Sequence, residues 1–175
     1  MNIILYTVKT SPRLSYIVDF FSRQINDDPI IITTDTNVYR NTDAVKINYS
    51  GTPLAANEIQ IKPHPLLFEN NIQPQQTICF NWNGNKAFFA TGCDFPFDMF
   101  AAAFYLVSRY EEYLPHEQDI YGRYSHTNSL AYRENFLHLP LVSCWIKDLL
   151  HIIQIKFPQR LQANTNARFH FLPTY

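Results

Sequence analysis

The chain opens with a near-continuous apolar run from Asn2 to Val8, the pattern of a strand covered on both faces. Ser11-Pro12 then supplies an N-cap and a first-turn proline. Leu14, Ile17, Val18, Phe21 and Ile25 follow at helical spacing, and this predicts an amphipathic helix ending near Asn26-Asp27-Asp28. Pro29 to Thr34 is a second, β-branched strand. Strand, helix and strand together make a βαβ unit, whose crossover is expected to be right-handed. Further on, Ala44 to Tyr49 and Glu58 to Lys62 alternate, with Val45/Ile47/Tyr49 and Ile59/Ile61 on one face, as in half-buried strands. Thr77 to Trp82 and Lys86 to Thr91 flank Asn83-Gly84-Asn85. Asn-Gly between apolar strands predicts a hairpin, because both central residues of a type I′ turn need positive φ.

Helical spacing returns after Gly92. Asp94 or Asp98 caps a helix expected to run to about Leu114, where Pro115 helps end it. Phe97, Ala101, Phe104, Tyr105 and Val107 make that helix apolar on more than one side, which implies a largely buried position. Residues 115–135 read as a long polar loop, unusual in a compact domain and so a candidate functional segment. Another helix spans Pro140 to Lys156, with Trp145, Leu149, Ile152 and Ile153 inward and Phe157-Pro158 as its stop. Arg168 to Leu172 alternates again as a C-terminal strand. The expected fold is α/β: a mixed sheet starting with a βαβ unit, an Asn-Gly hairpin in the middle, two further helices and a C-terminal strand.

A length of 175 residues fits one domain, taken to span 1–175, able to bury roughly 70% of its unfolded surface without staples. Charged residues are only 17%, below the roughly 25% usual for soluble domains, and aromatics reach 15% with 11 tyrosines. That balance suggests a surface partly covered by another domain or a stacking ligand; a Phe-rich core with Tyr at its margins explains it equally well. A net charge of −1 carries no electrostatic footprint for nucleic acid or an anionic membrane. The N-terminus lacks a positive leader, and no apolar run approaches the roughly 18 residues of a membrane span. A cytoplasmic location is expected. Cys79, Cys93 and Cys144 form no CxxC pair or disulfide framework and read as buried, reduced thiols.

Candidate chemistry is sparse. The histidines (His64, His116, His126, His138, His151 and His170) are scattered, with no pair at i, i+3 or i, i+4, so no metal site is expected. There is no GxSxG elbow. The first βα turn, Val8-Lys9-Thr10-Ser11-Pro12-Arg13, lacks glycine. An anion at the helix start, helped by Lys9, Ser11 and Arg13, stays open beside the simpler reading of a capped helix. The densest polar stretch is Ser108-Arg109-Tyr110-Glu111-Glu112-Tyr113, followed by Asp119, Tyr121-Gly122-Arg123 and Tyr132. On a continuous helix Tyr105, Ser108 and Glu112 share one face, and Arg109 and Tyr113 another. Arg109, Glu111, Glu112, Tyr113, Asp119, Gly122, Arg123 and Tyr132 are therefore the candidate ligand or interdomain contacts. Carboxylates, arginine and tyrosines in such a group suit sugar binding or acid–base chemistry. They equally suit an anchor that pins the long segment.

Phe95-Pro96-Phe97-Asp98, the stretch Phe104 to Leu114, Gly122-Arg123-Tyr124 and Ser129-Leu130-Ala131-Tyr132 resemble an N-terminal domain of unknown function. That domain precedes the catalytic barrel of certain bacterial polysaccharide deacetylase-like proteins. Thr10-Ser11-Pro12-Arg13-Leu14 and Phe171-Leu172-Pro173-Thr174-Tyr175 match the same pattern. The resemblance spans most of the chain, and the Ser108 to Leu114 stretch is its distinctive part. It implies that the final Pro-Thr-Tyr leads into an Asp-containing motif opening the barrel. The metal-binding and catalytic carboxylates would lie there, completed by a later histidine motif. The chain stops at Tyr175, so none of those residues maps onto it, and a divalent metal is implied for the barrel alone. The implied whole protein is a metal-dependent hydrolase removing acetyl groups from N-acetylated sugars. The implied role of this chain is accessory, with no catalytic residue or cofactor of its own: it docks on the barrel and walls the substrate groove. Two rivals stay open. One is a stand-alone module for a sugar or nucleotide-sugar using Arg109, Glu112 and Arg123. The other is a small enzyme with Glu111 or Glu112 as base.

Overall fold

The computed structural model describes residues 2–25 and 29–160. The expected helix end at Asn26-Asp27-Asp28 and the expected strand at 168–172 lie outside the described residues. β1 (Ile3–Thr7), β2 (Ile30–Thr33), β3 (Val45–Tyr49) and β4 (Ile59–Gln60) form a four-stranded sheet in the order β2-β1-β3-β4. Each pairing is parallel, with Ile3 opposite both Ile30 and Val45, and Ile47 opposite Ile59. α1 (Pro12–Ile25) links β1 to β2, and α2 (Thr36–Asn41) links β2 to β3. The chain moves outward across the sheet for β2 and back past β1 for β3. Right-handed crossovers in opposite directions put their helices on opposite faces.

The strand periodicity sorts side chains accordingly. Ile3, Leu5, Val45, Ile47, Tyr49, Ile59 and Ile61 join one core with α1 and the later helices, whereas Ile4 packs with Tyr39 and Ala44 under α2. α1 forms because Ser11 Oγ takes the Leu14 N–H at 3.0 Å and Leu14, Ile17, Val18, Phe21 and Ile25 make one buried stripe. α2 has no counterpart in the apolar pattern. Asp35 caps it by accepting from the N–H groups of Asn37 and Val38, and Tyr39 is its one buried side chain.

β5 (Phe80–Trp82) and β6 (Asn85–Ala87) pair antiparallel around Asn83 and Gly84, both at positive φ (49° and 77°), as the Asn-Gly turn requires. The parallel and antiparallel strands thus divide between two sheets. The hairpin packs on α3 (Met99–Val107) and α5 (Leu141–Lys156) through Phe95, Phe97, Phe88 and Trp145. α5 takes the expected bounds and inward face.

α3 differs from the sequence expectation. Asp98 is its cap, accepting from Phe100 and Ala101 N–H, while Asp94 instead holds Lys156 and the Gln60 N–H. α3 is buried from Met99 to Tyr105 but stops at Val107, well before Leu114. Arg109 takes the left-handed conformation (φ 53°), and a separate 3₁₀ turn covers Tyr110–Tyr113. A non-glycine residue there costs about 1 kcal/mol. Tertiary contacts of Tyr110 offset that cost: its ring lies 5.3 Å from that of Tyr105, and its hydroxyl bonds both N–H and C=O of Gln73. The expected sharing of helix faces by Tyr105/Ser108/Glu112 and Arg109/Tyr113 therefore does not occur. The polar segment after Pro115 also contains a 3₁₀ turn (His126–Asn128) and a short helix, α4 (Leu130–Arg133), capped by Ser129.

Candidate functional site

The break at Arg109 disperses the polar stretch. Arg109 and Glu112 form an ion pair at the surface, with the Arg109 side chain 72% exposed, and Tyr113 points outward. Asp119 closes a small turn on itself. One carboxylate oxygen accepts from Tyr121 and Arg123 N–H at 2.8 and 3.0 Å, the other pairs with the Arg123 guanidinium at 2.9 Å, and Gly122 supplies φ 75°. Arg123 lies over the exposed Tyr121 ring at 4.8 Å. Tyr132 is half-exposed and edge-on to His126. Of the candidate residues, only Glu111 turns inward.

Glu111 projects into a 180 Å³ cleft shared with Tyr105, His116, Tyr124, Asn128 and Arg133. Its carboxylate receives the Leu130 N–H at 2.9 and 3.1 Å, and Arg133 approaches to 3.5 Å. The Tyr105 hydroxyl lies beside it. Burial raises the Glu111 carboxyl above the usual carboxylate range against the opposing pull of Leu130 and Arg133. Burial, helped by the Glu111 charge, pushes the Tyr124 hydroxyl up to about 12. That hydroxyl is buried with no hydrogen-bond partner among the described residues. His116 Nδ1 lies 2.8 Å from the Leu114 carbonyl, which can only accept, so this nitrogen carries a proton. The cleft offers a carboxyl, a hydroxyl and an imidazole around space for a small polar molecule.

Glu111 is thereby an anchor joining the α3 end to α4, whereas Arg109 is not. Glu111→Ala strips the buried Leu130 N–H of its acceptor, and we expect a loss of about 2 kcal/mol with faster amide exchange across 115–133. The surface change Arg109→Ala is expected to cost under about 0.5 kcal/mol. Urea titration and hydrogen exchange of both variants check this; equal effects would show the assignment to be wrong.

A larger cavity, of 420 Å³, lies at the carboxyl ends of β1 and β3 and was not visible in the sequence. Val8, Lys9, Gly51, His64, Pro65 and Phe68 are among its lining residues. It lies beside the α1 start, but Ser11 and Arg13 do not serve an anion there. Ser11 Oγ donates to the Leu67 carbonyl, and Arg13 donates to the Leu66 and Asn71 carbonyls at 2.8 Å each. The Arg13 guanidinium also lies 5.7 Å over both Phe104 and Tyr110, so the Thr10 to Leu14 and Phe104 to Leu114 motifs meet in space. Among the described residues no group of three or more His, Cys, Asp or Glu side chains is placed to hold a metal ion. Cys79, Cys93 and Cys144 are free and half-buried rather than fully buried; burial pushes the Cys79 thiol up to about 11, away from thiolate chemistry. No helix among the described residues is long and apolar enough to cross a membrane.

Comparison with curated proteins and with solved structures yields no match. A family model does match, over residues 3–158, from the first strand through the stop of α5. That span takes in both cavities and both motifs that meet at Arg13, and by it the chain belongs to a family of unknown function, DUF7033.

Proposed function

We propose that this chain is a non-catalytic accessory domain of a polysaccharide deacetylase-like, metal-dependent carbohydrate hydrolase, packing on a catalytic barrel that follows Tyr175. The observation that carries the reading is the apolar surface of the segment after α3. Tyr113, Ile120, Tyr121, Leu137 and Leu139 all stand exposed there, Ile120 at 90%. Large apolar side chains gathered in one segment favour a covering partner. The inward use of Glu111 and the surface pairing of Arg109 with Glu112 add to it, since both employ the polar stretch in holding the segment's shape. The resemblance of this same stretch to domains preceding deacetylase barrels supports a barrel as that partner. The test mixes the chain with the separately produced barrel of the same gene. Association that Ile120→Asp weakens at least tenfold is expected, and acetate release from acetylated chito-oligosaccharides by this chain alone, with divalent metal, would overturn the reading.

A second reading, sugar binding without a barrel, is favoured by the unpartnered Tyr124 hydroxyl in the Glu111 cleft. It would use Glu111, Tyr124 and Arg133 in place of Arg109, Glu112 and Arg123. Saturable binding of those oligosaccharides, lost in Tyr124→Phe, would move it ahead.

A further inference from the structure

The 420 Å³ cavity occupies a definite place in the sheet topology. β1 and β3 are neighbours, but the chain leaving β1 goes to β2 on one side and the chain leaving β3 goes to β4 on the other. Diverging connections leave a crevice outside the carboxyl ends of the strands, the place where open parallel sheets bind ligands. A volume of 420 Å³ falls within the roughly 300–1,000 Å³ of small-molecule sites.

The cavity is built on fixed parts. The fully buried Asp98 carboxylate accepts the Tyr49 hydroxyl at 2.5 Å and the His64 backbone N–H at 2.6 Å, tying the end of β3 to the 63–65 segment. The His64 ring stacks on Phe89 with centroids 4.0 Å apart and planes 16° from parallel. Its Nδ1 accepts the Leu66 N–H at 3.3 Å, so the proton of the neutral ring sits on Nε2, which has no acceptor among the described residues. Burial lowers the His64 pKa and favours that neutral ring. The Lys9 ammonium lies 5.0 Å from the Phe68 ring centre at the same cavity. Glu69 also lines the space; its carboxylate accepts from the Gln75 side-chain amide at 2.9 Å and keeps a negative charge that acts on His64 against the effect of burial. Val8, Pro63, Pro65 and Phe68 give apolar wall, while the Thr7 and Ser50 hydroxyls at its edge donate to the Lys9 carbonyl and to Asn48 Oδ1.

We propose that this cavity binds a small organic anion with a flat ring, an aromatic or cyclic carboxylate or phosphate ester. The ring lies against Phe68 and the prolines, and the acid group meets Lys9 and His64 Nε2–H. Apolar walls with a few placed donors give affinity through the ring and orientation through the charge. The site is independent of barrel docking, which uses the segment after α3.

Gly51 provides a clean block. Nothing lies within 4 Å of a Cβ built there and its φ is outside the left-handed region, so Gly51→Trp puts an indole at the cavity without backbone strain. The experiment titrates the full 175-residue chain with naphthalene-2-carboxylate and follows backbone amides by NMR. Saturable shifts at Val8, Lys9, Gly51 and His64 are expected, with Kd weakened at least fivefold by Lys9→Met and binding abolished by Gly51→Trp, each variant checked for an unchanged circular dichroism spectrum. Neutral naphthalene-2-methanol is expected to bind at least tenfold more weakly than the carboxylate. Equal binding of the two would overturn the anion role of Lys9 and His64. Inorganic phosphate binding as tightly as the naphthoate would overturn the ring role, and shifts that persist in Gly51→Trp, or fall around Glu111, would overturn the location.

Discussion

Asp98→Ala is expected to lower the unfolding free energy by about 4 kcal/mol. Asp98 is fully buried, and its carboxylate accepts four donors: the Phe100 and Ala101 N–H groups at 3.0 Å each, the Tyr49 hydroxyl and the His64 N–H. Loss of an N-cap alone costs about 1 kcal/mol. Each buried donor left unpaired adds about 1–3 kcal/mol, lessened where the cavity admits water. Against a typical total of about 5–15 kcal/mol, this change would leave a marginal protein. Tyr49→Phe removes one donor and leaves the other three in place, so about 1 kcal/mol is expected. The pH dependence has a definite sign. Burial pushes the Asp98 carboxyl up to about 6 against the pull of its donors, above the roughly 3.9 of an unfolded Asp. The native state therefore holds the proton more tightly than the unfolded chain. This group's contribution to stability is greatest below pH 4 and declines as pH rises to about 6, by roughly 3 kcal/mol in all. Urea titrations at pH 4, 5, 6 and 7 on wild type and variant read both effects. A loss at pH 7 under about 1 kcal/mol would show that the buried network does not hold α3 to the sheet.

Trp145→Ala is expected to cost about 3–5 kcal/mol and to lower Tm by roughly 10 °C. Trp145 has no exposed surface, its ring meets Phe97 at 5.3 Å and Phe88 at 5.9 Å, and its Nε1–H donates to the Lys86 carbonyl at 3.1 Å. It fastens α5 to the hairpin, so truncation opens a cavity and strands a strand carbonyl. Trp145→Phe restores most of the volume and is expected to cost less than half as much. Thermal unfolding followed by circular dichroism is the check; a change below about 1 kcal/mol would mean that the hairpin and α5 do not belong to the cooperative core.

The parts of the fold legible in the sequence are those determined over a few consecutive residues. Leu14, Ile17, Val18, Phe21 and Ile25 mark α1 by spacing alone, with Ser11-Pro12 as its start, and the structure keeps those residues buried. Asn83-Gly84 determines its turn because the backbone there needs positive φ. α2 was not legible: six residues with one buried side chain offer no periodicity, and only the Asp35 cap announces it. For the candidate site, the sequence marked the stretch from Ser108 to Tyr113 but not how it is used. Helical spacing assumed continuity through Arg109. The Tyr110 contacts with Gln73, Tyr105 and Arg13, all remote in sequence apart from Tyr105, break the helix and send Glu111 inward and Arg109 outward.

By itself, then, the sequence determined the α/β class, the opening βαβ unit, the hairpin and the apolar character of the helix carrying Tyr105, because period and turn chemistry are local properties. Only the tertiary structure decided where α3 ends, which carboxylates are buried, and that a cavity opens between β1 and β3. Each of these depends on strand order or on contacts between segments 30 to 60 residues apart, and no local pattern of apolar and polar positions encodes which strands become neighbours.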